Sequence, residues 1–380
     1  MTQENKEAKV SAEARYKKIF FTSIIGIIAN AVLATFKAII GLISGSIAIL
    51  MDAVNNLTDA GSSLITIVGA HFAAKDPDKK HPFGHGRSEY LATLLIGGLI
   101  LYAGITALIE SIKKIVDPVV PDYSTVALII VASAVVVKLV LGLYVSKTGK
   151  SINSDSLVAS GKDALFDSII STSTLVAAII YIATGISLEA YLGVIISIII
   201  LKAGIETLQE NVSKILGEGA EVELVRNIKK TIAGHEGVQG AYDLVLNNYG
   251  PDTYLASVHI EVPDTMTANE YDILSRHLEW EIADTYGVFL TAVGIYSINT
   301  RDENVIAIRE NVRKIVMDHP MIHQMHGFFL DDEKNMRFDM VISFDAKSRA
   351  EVHDEVMAKV KEAYPDYNIE IGIDSDFNEL

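Results

Sequence analysis

The feature that most constrains this chain is a series of long charge-free stretches confined to its first 217 residues. Ile19–Phe36, Tyr90–Ile109 and Ser168–Leu188 contain no Asp, Glu, Lys or Arg. Tyr123–Ser146 is interrupted only by Lys138, Ala190–Leu201 continues past Lys202, and Ser46–Ala74 carries only Asp52 and Asp59. A helix needs about 20 such residues to cross a hydrocarbon core of about 30 Å. The pattern predicts six membrane helices, roughly over 17–43, 46–75, 87–114, 123–147, 155–184 and 187–213. The first is expected not to be a secretory signal, because its apolar run is long and a second helix begins at once. Charge divides the chain the same way: residues 1–217 carry a formal net +1, residues 218–380 a net −17. No basic face can be drawn on so acidic a second half, which argues against a nucleic-acid partner. The absence of Cys excludes disulfides, thiolate metal sites and cysteine nucleophiles.

Orientation follows from Lys and Arg near the helix ends. Lys6, Lys9, Arg15, Lys17 and Lys18 precede the first helix; Lys75, Lys79, Lys80 and Arg87 lie between the second and third; Lys147 and Lys150 lie between the fourth and fifth. The opposite loops, Ser44–Gly45, Val116–Asp122 and Thr184–Ile186, are short, and only Lys113 and Lys114 dissent. The expected protein is a multi-pass protein of the cell membrane with both termini and the acidic half in the cytoplasm.

Ionisable groups at bilayer depth are costly and mark pathways or sites. The second predicted helix holds Asn55 and Asp59, the fifth Asp163 and Asp167, each pair four residues apart and so on one helix face. Two such faces meeting would surround one point with oxygen-bearing side chains, the donor set of hard or borderline divalent cations. The blander alternative is that these carboxylates are interfacial, or paired with Lys37, Lys138 or Lys162.

The run Gly45-Ser46-Ile47-Ala48-Ile49-Leu50-Met51-Asp52-Ala53, followed by Asp59, resembles the second membrane helix of the cation diffusion facilitators. The loop His81-Pro82-Phe83-Gly84-His85-Gly86-Arg87-Ser88-Glu89 is similar to the segment before their third helix. The resemblance spans about residues 17–300. It implies a homodimer in the lipid bilayer that exports divalent metal in exchange for protons, with Asn55, Asp59, Asp163 and Asp167 as the transport site. Zinc-selective members carry histidine in this set and this chain has none, so oxygen ligands point first to Mn²⁺, with Fe²⁺ or Zn²⁺ as alternatives. No prosthetic group is expected. Crowded carboxylates would repel one another and hold protons until a divalent ion displaces them. Within the loop, Asp78, His81 and His85 are a second candidate metal site.

The acidic half reads as a repeat. Helix, strand, strand, helix, strand is predicted over 221–235, 240–247, 254–262, 267–286 and 289–297, and again over 304–319, 324–330, 337–344, 346–364 and 367–373. The resemblance implies a ferredoxin-like cytoplasmic module, here twice in tandem. The domains expected are a cytoplasmic arm (1–16), a six-helix transport domain (17–215) and two ferredoxin-like modules (216–300 and 301–380). The family's module ligands fall on Tyr242, Asp272 and Tyr296 in the first copy, where the site is lost. In the second they fall on His326, His353 and Asp374, a candidate cytoplasmic metal site; a further family histidine falls on Gly372. His319 and His323 either contribute or face solvent. No nucleophile–base pair, phosphate-cradling glycine loop or catalytic zinc signature suggests an enzyme. The leading expectation is a proton-coupled Mn²⁺ exporter. The alternative from another class is a membrane metal sensor that signals through the tandem modules.

Overall fold

A computed structural model of the chain describes residues 3–44, 47–117, 125–184, 188–251 and 253–374. The Gly45-Ser46 pair and most of the outer loops expected near 116–122 and 184–186 lie outside the described residues. The chain separates into two compact units, one of residues 1–218 with 249–252 and one built from 219–248 and 253–380.

The first unit contains α1 (Gln3–Ser44), α2 (Ile47–Ala73), α3 (Ser88–Val116), α4 (Thr125–Ser151), α5 (Asp155–Thr184) and α6 (Glu189–Leu216). Among the described residues, five of them, α1, α3, α4, α5 and α6, are long and apolar enough to cross a membrane. Large apolar side chains such as Phe21, Tyr102, Val140 and Ile179 face outward and exposed, as a lipid environment allows and water does not. The first helix starts earlier than the expected residue 17: α1 begins at Gln3 and takes in most of residues 1–16. Its Glu, Lys and Ala residues are strong helix formers, and Lys17 pairs with Glu13 one turn earlier at 2.7 Å.

Helices α4 and α5, α3 and α6, and α1 and α2 pack closely as pairs. Small residues permit this: a Cβ on Gly161 of α5 would fall 2.5 Å from the Ser146 backbone nitrogen of α4. Between the helices, Ile19, Ala70, Leu141, Val145 and Leu157 form one apolar cluster and Ile96, Ile100, Ala159 and Ile200 another. At one end, Arg15 of α1 forms an ion pair with Glu89 of α3 at 2.8 Å. Its guanidinium also donates to the carbonyls of Ile152 (2.9 Å) and Asn153 (2.8 Å) in the α4–α5 connection. The Glu89 carboxylate is fully buried and accepts from Ser154 and Ser156.

The second unit runs α7 (Val222–Ala233), β1 (Gly240–Gly250), β2 (Thr253–Pro263), α8 (Ala268–Tyr286), β3 (Val288–Ile298), then α9 (Glu303–Met317), β4 (Ile322–Leu330), β5 (Asn335–Ile342), α10 (Arg349–Ala363), β6 (Asn368–Asp374). The element order therefore repeats. Each half has one three-stranded sheet, β1-β2-β3 and β4-β5-β6. Strand β2 runs parallel to β3, and β5 to β6, a pairing that requires the crossover helices α8 and α10. Local sequence sets the helix starts. Thr267 and Glu270 form a reciprocal capping box on α8, Asp302 caps α9 and Ser348 caps α10. Each sheet carries its own apolar core, centred on Ile228, Ile260 and Leu278 in the first half and on Phe338, Met340 and Val356 in the second.

Candidate metal transport site

Helices α2, α4 and α5 bring together two of the four carboxylate and amide positions singled out above. Asp59 of α2 and Asp167 of α5 each accept a hydrogen bond, through Oδ2, from the ammonium of Lys138 on α4. The Lys138 side chain is 6% exposed, with Asp59 at 14% and Asp167 at 19%. Of the three lysines considered as pairing partners, Lys138 is joined to this group; Lys37 is buried on α1. Asp163 stands one turn before Asp167 and shares a cleft with Asp59. The lining also includes Gly26 and Asn30 from α1, Ser62 and Ser63 from α2, Leu141 and Val145 from α4, and Ser160 from α5. Asn55, a turn before Asp59, is exposed, whereas its neighbour Asn56 is fully buried. Helix geometry forces that alternation, since successive side chains are turned by about 100°.

Sequence reading did not single out Asn30, Ser62 or Ser63. All three are buried, and the Asn30 side-chain oxygen has no hydrogen-bond donor among the described residues. Their signal was present: polar side chains inside apolar runs, with Ser62 and Ser63 three and four residues past Asp59 and so on its face.

The inner loop brings Asp78, His81 and His85 together. Asp78 Oδ1 lies 3.4 Å from His81 Nδ1, and Oδ2 lies 3.4 Å from His85 Nε2. The Asp78 carboxylate accepts backbone N–H groups of His81 (2.7 Å) and Lys80 (2.8 Å), which hold it below the usual carboxylate range. One oxygen or nitrogen from each of the three residues falls within 4.8 Å of the others.

In the second unit, the candidate set of the second module is redistributed. His326 and Asp374 come together, with Nε2 to Oδ2 at 3.4 Å, but the third member is Asp243 of β1, whose Oδ1 is 2.9 Å from His326 Nε2. His353 stands apart: its Nε2 faces the Ile371 carbonyl at 3.3 Å and its Nδ1 faces Asp354 at 3.0 Å. The first-copy counterparts Tyr242 and Tyr296 face the same point. Tyr242 stacks on the His326 ring, and Tyr296 donates to Asp243 Oδ2 at 2.6 Å. Asp243 was missed because it belongs to the first module, in a left-handed conformation (φ 51°) that no spacing rule reveals.

His326 is 2% exposed. Its Nε2 lies within ion-pair distance of Asp243 Oδ1. Burial alone would lower the His326 pKa, but the charges of Asp243, Asp339 and Asp374 raise it above the ordinary histidine value. Burial likewise works against ionised Asp243, and its bonds with His326, Asp374 and Tyr296 hold it well below the usual carboxylate range. Gly372, at the position that matches a family histidine, lies opposite Asp339 in the β5–β6 register. Asp272 is paired with Arg276 at 3.0 Å on α8. His319 accepts from the Met321 N–H at 3.2 Å, and His323 is exposed. A third grouping, not anticipated, joins His235 with His277 and Glu281 of α8.

Apolar spanning helices, partly buried carboxylates on facing helices and an acidic α+β unit define a membrane transporter of cations. The cation efflux transmembrane domain model matches residues 23–216, and the model of the cation efflux protein cytoplasmic domain matches residues 220–293. The chain belongs to this family, the cation diffusion facilitators: it is a multi-pass membrane protein for the efflux of divalent metal cations. It is 27% identical to an uncharacterized transporter of Methanocaldococcus jannaschii, over 65% of this chain and 87% of that protein. It is 25% identical to the manganese efflux system protein MneP of Bacillus subtilis, over 68% and 89%. It is 26% identical to the cadmium, cobalt and zinc/H(+)-K(+) antiporter of the same organism, over 71% and 86%. These relatives are thus matched over most of their own length but over about two thirds of this chain. The repeat from α9 to β6 lies beyond both domain matches.

Proposed function

We propose that this protein exports Mn²⁺ from the cytoplasm in exchange for protons, through a site formed by Asn55, Asp59, Asp163 and Asp167. The observation that carries this reading is the convergence of Asp59 and Asp167, from two separate helices, on one buried point with Asp163 a turn away. The donors are all oxygen, which suits manganese better than zinc, and one relative is named for manganese efflux. Fe²⁺ and Zn²⁺ are the alternatives within this reading, since another relative is named for cadmium, cobalt and zinc.

In this reading α2 is the sixth span, both termini are cytoplasmic, and the active form is a homodimer. The arm, transport domain and tandem ferredoxin-like modules occupy 1–16, 17–215, 216–300 and 301–380. Asp78, His81 and His85 bind metal at the inner surface. The cytoplasmic metal site comprises His326 and Asp374 with Asp243 in the place expected for His353, so that metal bridges the two modules.

Competitive uptake of Mn²⁺, Fe²⁺, Zn²⁺ and Co²⁺ into inverted vesicles, with a pH-sensitive dye inside, tests the proposal. Mn²⁺ uptake with proton efflux is expected. Preferred Zn²⁺ uptake would overturn the metal assignment, and metal binding without flux would favour the sensor alternative.

A further inference from the structure

Resting on that transport-site reading, we propose that Lys138 is a tethered cation that occupies the transport site whenever metal does not. A divalent ion is then ligated by Asp59 and Asp167 only as the Lys138 ammonium leaves.

Three observations lead there. Lys138 breaks an otherwise charge-free stretch of α4, far from the helix ends where a lysine could reach the membrane surface. Its ammonium donates to one oxygen on each of two carboxylates that come from different helices. All three side chains are largely shielded, so the interaction is weakly screened.

The geometry makes lysine and metal mutually exclusive. A divalent ion shared by the same two oxygens needs each at about 2.0–2.6 Å, which places it in the space the ammonium nitrogen fills. Two cations cannot share that space in a medium of low dielectric. The lysine therefore competes with metal by charge and by volume, at the high effective concentration of a group on the same chain.

Two consequences follow for transport. After metal release the two carboxylates have a partner, so the unloaded protein avoids leaving them bare at bilayer depth. The lysine also weakens metal binding by the free energy of its own pairing, which favours release on the far side. Free monovalent cations, which arrive untethered, compete poorly against it.

The test uses the full-length protein in lipid nanodiscs and vesicles, with Mn²⁺ as probe. Lys138→Gln is expected to bind Mn²⁺ about tenfold tighter or more, with KM and kcat for uptake both falling. A purely structural lysine would do the reverse, since damage to the site weakens binding. Lys138→Arg, which retains the charge, is expected to keep affinity within a few fold of the parent.

Asp59→Asn and Asp167→Asn separate the two ideas. If both lose Mn²⁺ binding while Lys138→Gln leaves affinity unchanged or weaker, the lysine inference falls and the transport-site reading stands. If both bind Mn²⁺ undiminished, the transport-site reading falls and takes the lysine inference with it. A measurement on the unmodified protein covers the case in which the glutamine variant does not fold. Reductive methylation of Lys138, read by mass spectrometry against exposed Lys202, is expected to rise at saturating Mn²⁺ and not with Na⁺. Labelling of Lys138 that is unchanged by Mn²⁺ overturns the proposal.

Discussion

Arg15→Leu probes the charged latch at one end of the helix bundle. The substitution deletes the ion pair to Glu89 and the two hydrogen bonds to the Ile152 and Asn153 carbonyls. Glu89 is then left as a fully buried carboxylate that accepts from the Ser154 and Ser156 hydroxyls but has lost its cation. Breaking a buried pair from one side costs about 3–5 kcal/mol, because the remaining charge is uncompensated. Glu89→Gln is milder, since Arg15 is partly exposed and keeps both carbonyl acceptors. In the double variant the stranded charge is gone, so the combined loss falls well short of the sum of the two single losses. A coupling of about 2 kcal/mol or more is expected from this cycle. The assay is resistance of the purified protein to unfolding in detergent across a denaturant series. Strict additivity of the two substitutions would refute the reasoning, as would an Arg15→Leu protein as stable as its parent.

Asp59→Ala and Asp167→Ala are each expected to abolish Mn²⁺ flux in vesicles while the protein still folds and dimerises; near-parental flux in either would sink the four-ligand assignment. Asn55→His adds a nitrogen donor without removing a carboxylate and is expected to shift the transport ratio toward Zn²⁺; an unchanged ratio would show that residue 55 does not set selectivity. A chain ending after Gly217 keeps residues 1–217 of the first compact unit, though not its 249–252 segment, and is expected to keep its metal preference while losing apparent affinity or rate; altered preference would place selectivity in the acidic half. In the second unit, Asp264 is held below the usual carboxylate range first by the Thr300 hydroxyl and then by Arg301. A depressed carboxylate stabilises the fold above its ordinary pKa of about 3.9 and loses that contribution as pH falls through its lower folded value. Asp264→Asn should therefore lower hydrogen-exchange protection at the Thr300 amide near pH 7, and the difference from the parent should shrink in strong acid; a difference that persists there would point to packing and not charge.

Much of the architecture was written in the sequence, because membrane insertion and helix formation depend on local composition. Charge-free runs placed α1 to α6 to within a few residues of their observed bounds, apart from the start of α1. Alternation and turn chemistry likewise marked the ten elements of the acidic half. Helical spacing put Asp163 and Asp167 on one face of α5, as the periodicity of a single helix must. Which neighbour that face meets is not a local property. Lys37, Lys138 and Lys162 were equivalent as sequence, and only the packing of α4 against α5 and α2 put Lys138 between Asp59 and Asp167. The same holds for Asp243, which replaces His353 beside His326 because β1 and β4 come from modules paired in space, not in sequence. Arg15 and Glu89 are 74 residues apart, and no periodicity links them. The sequence determined which segments bury themselves and which side chains share a face; tertiary packing alone decided which charges are neutralised by which partners, since that pairing depends on distances between elements that no one element specifies.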